Sequence, residues 1–453
     1  MTSAALASLL EMPPYQAYSY SYPHKTAYRT LPAPQPLRDA WAQEDRDALF
    51  LYLHIPFCPY RCGFCNLFTL ARPPGDTVER YLDQLDRQLA TTADALGAHR
   101  FVRFALGGGT PSYLSADQLR RLFDSVARHC SIDLLRIPAG MEVSPDTVDA
   151  EKMAICRTAG IDRISMGIQS FSDAEVRTLV RPQQRDEVER AVAAIREQRF
   201  PTLNLDLIYG IQGQTEASFL ASIESALAFA PEELYLYPLY VRPLTGLGRI
   251  ESRDGKPRFA LRPEPVDDRL ALYRAGRDAL LAAGYRQISM RMFRAPHAPS
   301  GDDGPTYRCQ DDGMVGIGCG ARSYTRALHY SSEFGVSRRS VAEILEHYLT
   351  LSADDFARID HGIPLDIDEQ RRRYVIQSLL VWPGLDLDAY RLRFGDDCFA
   401  HLPQLHALET LALARRDGPL LTLTDDGMAR ADTIGPWLIS ADVAARMRDF
   451  ELR

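Results

Sequence analysis

Three of the eight cysteines, Cys58, Cys62 and Cys65, stand at CxxxCxxC spacing in the stretch YLHIPFCPYRCGFCNLF (52–68). Thiolates are soft ligands that suit iron–sulfur clusters and zinc. A cubane [4Fe-4S] cluster normally takes a cysteine on each of its irons, so a local set of three leaves one iron open. An open position lets a metal centre do chemistry instead of only holding structure. The alternative for the same residues is a Cys3His zinc site, with His54 four positions before Cys58. His54 lies in an alternating strand pattern, however, and zinc explains none of the motifs further along the chain. Cys130, Cys156, Cys309, Cys319 and Cys398 are scattered and read as small buried hydrophobes. Cys319, in the glycine-rich turn GIGCGA (316–321), is the one whose role stays open.

These cysteines need a scaffold, and the surrounding pattern supplies one. LFLYLHI (49–55) reads as a buried strand, followed by the helical VERYLDQLDRQLATTADAL (78–96). The same alternation continues through FVRFALGG (101–108), a helix over 115–130, AGMEVSP (139–145), a helix to about 158, and DRISMGIQSF (162–171). It ends with a helix over 186–198, LNLDLIYGI (203–211), a helix over 218–230 and ELYLYPLYV (233–241). Six strands alternating with helices imply a parallel sheet covered by helices, here a partial (β/α)6 barrel of the α/β class. The cysteines fall just past the first strand, at the barrel end where active sites gather.

The chain is expected to divide into an N-terminal arm (1–48), a barrel with a less regular extension (49–330), a helical linker (331–363) and a small C-terminal domain (364–453). The arm is rich in Pro, Tyr and Ala and reads as extended. Its aromatic piece SYSYPHKTAYR (19–29) either packs on the barrel or covers the active site. The C-terminal helices, with a strand and turn at 420–432, suggest a winged-helix-like domain serving as a lid or a partner surface.

Composition sets outer bounds. Apolar residues make up 46% of the 453, charged residues 25%, and the net charge is −8, which argues against nucleic-acid binding, whose footprint is basic. No run is long enough to span a bilayer, and the start lacks a basic region ahead of its short apolar stretch. A cytoplasmic location is expected, with no membrane partner.

Taken in series with GGGTPS (107–112), EVSP (142–145), MGIQSF (166–171) and LDLIYGIQGQT (205–215), the segment from Tyr52 to Cys65 resembles the signature of radical S-adenosylmethionine (SAM) proteins. It is similar to the branch typified by oxygen-independent coproporphyrinogen III oxidase, which also holds heme chaperones and class C radical SAM methyltransferases. The resemblance implies a [4Fe-4S] cluster on Cys58, Cys62 and Cys65 whose open iron chelates SAM. Electron transfer from the cluster then yields a 5′-deoxyadenosyl radical. One SAM is implied, or two where a second serves as methyl source. Gly108, Gly109 and Thr110 meet the methionine amino group, Arg181 its carboxylate, Gln169 and Asp206 the ribose, and Phe64 the adenine. Glu142 contacts SAM, and Tyr52 lines the pocket; these two are assigned to catalysis. For Arg181 alone the other reading is a solvated helix charge, and for the glycines a plain turn. A reductant such as flavodoxin or ferredoxin and a small-molecule substrate complete the set.

Three departures bear on the reaction. Leu67 stands where the oxidases carry a further cysteine, Arg242 precedes Pro243 where an acid is usual, and ISMRMFRAP (288–296) differs from the chaperone wording. They lean the expectation toward carbon methylation or related carbon–carbon chemistry with a second SAM. The alternatives are porphyrinogen oxidative decarboxylation and heme chaperoning. Arg286, Arg291, Arg294, Arg308 and Arg322 could grip substrate carboxylates or phosphates, or could form a solvated face.

Overall fold

Alternating strands and amphipathic helices leave a chain few ways to bury both, and the computed structural model shows the one the sequence predicts. It describes residues 3–15, 21–253, 268–299 and 313–451. Six strands, Leu49–Ile55, Phe101–Gly108, Ala139–Val143, Arg163–Gln169, Thr202–Tyr209 and Glu233–Pro238, lie side by side in chain order, all parallel. Helices Thr77–Leu96, Ala116–Cys130, Ala150–Ala159, Arg185–Glu197 and Glu216–Leu227 form the connections. The fold class is a partial (β/α)6 barrel with additions.

Side-chain alternation tells the two faces of this sheet apart. In the fourth strand Ile164, Met166 and Ile168 are fully buried under the helices, while Arg163, Ser165, Gly167 and Gln169 are partly open toward the barrel interior. A slip of one residue would exchange the two sets, so the register is strongly specified. Helix starts are fixed by side chains: Ser115 and Gln118 form a capping box, Thr215 and Ser218 another, and Asp149 caps its helix through the Lys152 N–H.

The sheet is wider than six strands. Met314–Ile317 adds a seventh parallel strand beside the first. Arg322–Tyr324, Leu328–Ser331, Arg358–Pro364 and Arg29–Pro36 follow it outward, antiparallel. On the far side Met292–Arg294 and Arg286–Gln287 form an antiparallel edge. The expected single strand over 285–293 is thus two short ones around a turn. The expected helical linker holds helices Arg338–Tyr348 and Ala353–Phe356 and then a sheet strand that runs across position 364. That strand pairs with residues 29–36 of the arm. Pro32 and Pro34 fall where the pairing is irregular, between Thr30 and Gln35; edge strands tolerate proline because one side needs no ladder hydrogen bond.

The C-terminal residues form helices Ile367–Leu379, Leu387–Phe394, His406–Thr410, Ala431–Leu438 and Ala441–Arg448 around a three-stranded antiparallel sheet, Leu385–Asp386, Leu420–Leu423 and Ala414–Asp417, a winged-helix-like arrangement. After Leu423 the chain enters a helix, Asp425–Ala429, and the hairpin partner of 420–423 precedes it. Asp432 joins this domain to the barrel: its Oδ2 accepts from Arg291 Nη2 at 2.5 Å and from the Tyr240 hydroxyl, with both charged groups buried. Among the described residues no helix is long and apolar enough to cross a membrane.

Candidate active site

The first barrel strand ends at Ile55, and the chain then makes a loop that returns on itself. Phe57–Cys58 pairs with Leu70–Ala71, the Leu70 N–H donates to the Pro56 carbonyl at 2.7 Å, and the Arg72 N–H donates to the Cys58 carbonyl at 3.0 Å. All three clustered cysteines sit on this closed loop. Gly63 ties it to the rest of the mouth: its N–H donates to the Leu179 carbonyl, and its own carbonyl accepts from the Leu247 N–H, both at 2.8 Å. A Cβ at Gly63 would lie 2.9 Å from the Leu179 oxygen, so only glycine lets the loop approach this closely.

Each cysteine sulfur has a polar neighbour, from another loop for Cys58 and Cys62 and from the same loop for Cys65. The Thr110 hydroxyl donates to Cys58 Sγ at 3.4 Å, Arg181 Nη1 donates to Cys62 Sγ at 3.2 Å, and Cys65 Sγ lies 3.8 Å from Thr69 Oγ1. Arg181 is buried. Its Nε donates to Gln183, and its Nη2 donates to the Gly167 carbonyl at 2.6 Å and to Ser144 Oγ at 3.3 Å. It is therefore no solvated helix charge. Burial pushes the Cys58 thiol up to about 12, against the hydrogen bond from Thr110; burial also raises Cys62, against Arg181. A metal bound here must displace those protons, and the donors already aimed at sulfur favour the thiolates that result. At Gly109 a Cβ would come within 2.9 Å of Cys58 Sγ and 2.7 Å of the Phe57 carbonyl oxygen. The space beside the cysteine is kept clear of side chains.

Deeper in the mouth stand the acids. The Gly108 N–H donates to Glu142 Oε2 at 3.0 Å, and a Cβ at Gly107 would lie 3.0 Å from that carboxylate and 3.2 Å from the Tyr52 ring. Glu142 reaches into the open interior, where solvent touches it while protein surrounds it. That enclosure raises its carboxyl, and the Gly108 N–H and Arg163 pull the other way. Asp206 accepts from Asn204 Nδ2 at 2.7 Å. Its carboxyl is raised to about 7, mainly by burial, with Glu142 and Glu233 adding to the rise and Asn204 and Arg163 opposing it. Below them Arg163 pairs with Glu233 at 2.8 Å. Gln169 ends the fourth strand at a register shift with φ of 71°, a left-handed conformation that a non-glycine residue adopts at a cost and that clusters at functional sites.

His54 is fully engaged: Nε2 donates to the Phe68 carbonyl at 3.1 Å and Nδ1 accepts from the Tyr52 hydroxyl at 3.2 Å. Burial lowers its pKa to about 4, so it is a neutral brace between strand and loop. The Cys3His zinc alternative therefore has no fourth ligand in His54. Among the described residues no three His, Cys, Asp or Glu side chains converge on a single ion; a cubane binds each thiolate through a different iron and needs no such convergence. Phe64 packs, half-buried, on a small apolar cluster of Leu179, Ile208, Ile211, Leu239 and Leu247.

The structure thus brings together Cys58, Cys62, Cys65, Gly109, Thr110 and Arg181 at the loop, and Tyr52, Gly108, Glu142 and Asp206 in the interior. It does not gather the later arginines. Arg291 pairs with Asp432, Arg286 stacks on Trp382 at 4.3 Å, Arg294 donates to the Pro299 carbonyl, and Arg322 donates to Ser21 Oγ at 2.8 Å. Arg308 and Cys309 lie outside the described residues. Cys319 is buried, its N–H bonded to the Tyr81 hydroxyl at 3.0 Å, in a turn packed on Phe68 through Gly320. Sequence reasoning missed Ser144, which meets Arg181, and Lys25, which the arm places 3.6 Å over the Phe334 ring. Ser144 stood inside EVSP and Lys25 inside YPHKTAYR; neither position has a spacing rule that marks it.

A parallel barrel with three cysteines on the loop after its first strand, and acids and glycines at the following strand ends, defines a protein built to hold a cluster beside an organic ligand. The model of the Radical SAM superfamily matches residues 52–226. The chain is 30% identical to the oxygen-independent coproporphyrinogen III oxidase of Pseudomonas aeruginosa, over 84% of this chain and 83% of that one. It is 30% identical to the heme chaperone HemW of Bacillus subtilis, over 76% of this chain and 86% of that one. The structure of coproporphyrinogen III oxidase (HemN) from Escherichia coli aligns with a TM-score of 0.79, at 23% identity, over 97% of this chain and 98% of that one. The chain belongs to the radical SAM superfamily, in the branch that contains the oxygen-independent coproporphyrinogen III oxidases and the HemW heme chaperones. Its cofactors are a [4Fe-4S] cluster and SAM. The residues fit that pair: a buried thiol and two partly exposed ones on one loop, donors aimed at two of the sulfurs, and a clear space beside Cys58 that a side chain at Gly109 would fill.

Proposed function

We propose that this protein removes a hydrogen atom and carbon dioxide from a carboxylate side chain of a tetrapyrrole. The observation that carries the substrate class is the reach of the likeness to the Pseudomonas oxidase, which covers more of this chain than the likeness to the chaperone. When bound, the cluster and SAM together supply a 5′-deoxyadenosyl radical that abstracts hydrogen. Loss of carbon dioxide from the resulting substrate radical leaves a carbon–carbon double bond and releases one electron, which a one-electron acceptor of the quinone or flavin class would have to take up. The electron that opens the reaction comes from a reductant such as flavodoxin or ferredoxin.

The chain's own residues have separable tasks in this reading. Cys58, Cys62 and Cys65 hold the cluster, and Arg181 steadies the Cys62 sulfur. Gly108, Gly109 and Thr110 admit the methionine end of SAM, Gln169 and Asp206 face its ribose, and Phe64 backs its adenine on an apolar floor. Glu142, oriented by the Gly108 N–H, and Tyr52, held by His54, flank the space where substrate and SAM meet. The arm closes over the mouth and limits water.

Carbon methylation, the leaning taken from the sequence, draws no support from the oxidase and chaperone relatives. Heme chaperoning remains a second reading because the chain covers 86% of the Bacillus chaperone. Reconstitution without oxygen, followed by dithionite, SAM and coproporphyrinogen III, separates the three. The decarboxylase gives 5′-deoxyadenosine together with carbon dioxide, and both vanish in Cys62→Ala. S-adenosylhomocysteine beside 5′-deoxyadenosine, with no carbon dioxide, would return the case to methylation. A heme absorption band without turnover would favour the chaperone.

A further inference from the structure

We propose that Lys25 and Arg322 form an anion-binding subsite on the wall of the barrel mouth, and that it takes a carboxylate of the substrate. The identity of the molecule carrying that carboxylate rests on the tetrapyrrole reading above; the subsite itself does not.

Lys25 opens a single 3-10 turn, Lys25–Ala27, whose cap is His24. The arm is pinned on both sides of this turn. Tyr22 is buried, its hydroxyl bonded to Glu369 and its carbonyl accepting from Arg373 Nη1 at 2.9 Å, and Tyr28 is buried beyond. The Lys25 ammonium lies 3.6 Å over the Phe334 ring, which closes one side of it. Among the described residues it has no hydrogen bond and no carboxylate partner. Arg322 is held by the same arm, through its hydrogen bond to Ser21, four residues before Lys25. Two cationic side chains, one on the pinned arm and one bonded to it, suit an anion bound beside them.

The same wall carries a second, independent sign. Tyr324 stands two residues after Arg322 and therefore on the same face of their strand, and His329 is its cross-strand partner, ring to ring at 4.6 Å. Among the described residues, the Tyr324 and Tyr28 hydroxyls, which meet only each other, and both ring nitrogens of His329 are buried with no well-formed hydrogen bond. Buried polar groups are nearly always satisfied, and a carboxylate, with about four acceptor sites, offers partners to donors placed around it.

The test is isothermal titration of the reconstituted holoenzyme, wild type, Lys25→Met and Lys25→Arg, with three probes: tricarballylate, coproporphyrin III and its tetramethyl ester. Iron content and melting temperature confirm that each variant is folded and loaded. Lys25→Met should weaken tricarballylate and coproporphyrin III by about tenfold, the worth of one charge-assisted contact. It should leave the ester unchanged, and Lys25→Arg should retain most of the affinity. Tricarballylate binding that depends on Lys25, with no binding of coproporphyrin III by wild type, would keep the subsite and sink the tetrapyrrole reading. No tricarballylate binding by wild type, or equal binding by Lys25→Met, would overturn the subsite.

Discussion

A carboxyl group that titrates near neutrality leaves a signature in stability as well as in chemistry. Asp206 is raised to about 7 in the folded chain, chiefly by burial, against roughly 3.9 when unfolded. The sign follows from linkage. Below the unfolded value both states hold the proton; between the two values only the native state does; so stability falls as pH rises and levels off above about 7. Asp206→Asn cannot ionise and keeps an oxygen for Asn204. Its melting temperature relative to wild type should therefore climb from pH 4 to pH 7 and then stay flat. A difference that does not change with pH would contradict the assignment of the shift to this residue. Arg181 makes the complementary case. Its fork serves sulfur, hydroxyl and carbonyl together, which a lysine point charge cannot reproduce. Arg181→Lys should release iron to a chelator about tenfold more readily than wild type, and equal retention would show that charge alone is enough. The carboxylates and the arginine were legible because they stand inside recognisable motifs, Glu142 near a strand end, Asp206 within a strand and Arg181 in the loop after a helix. Lys25 was not, since the fold alone brings it over the Phe334 ring.

At the level of elements, periodicity found the six barrel strands because each carries several buried residues in a run. Met314–Ile317 escaped because MVGI is short, ends in a glycine-rich turn and has no pattern to count. Arg29–Pro36 escaped because its three prolines read as a loop, and only its place at the sheet edge makes them acceptable. The glycine loop offers the sharpest test here. Gly109→Ala puts a methyl group 2.9 Å from Cys58 Sγ and 2.7 Å from a backbone oxygen, so reconstituted iron should fall severalfold. Gly213 is a control. It also lies in a turn, with φ of 82°, but nothing stands within 4 Å of its Cβ. Gly213→Ala should cost about 1 kcal/mol in stability from the left-handed backbone and leave iron content unchanged. Equal iron in both variants would show that the space beside Cys58 is not needed.

Across the whole molecule, barrel, arm and C-terminal domain are joined by buried polar contacts. Arg291 and Asp432 are both almost inaccessible and share their contact with Tyr240. Removing one partner leaves a buried charge behind, typically at about 3–5 kcal/mol. Asp432→Ala should lower the melting temperature sharply while leaving the cysteine loop able to take iron; unaltered stability would mean that the pair is not shielded from water. The outer edge of the sheet has its own consequence, set by the order in which the chain is made. Residues 29–36 leave the ribosome early, but their partner, Arg358–Pro364, and Glu369, which holds Tyr22, come near the end. The six barrel strands are complete once Pro238 has emerged, so the barrel can form before the arm has a sheet edge to pair with. The arm's strand, made among the first residues, therefore finds its place only when the sheet's outer edge is there to receive it.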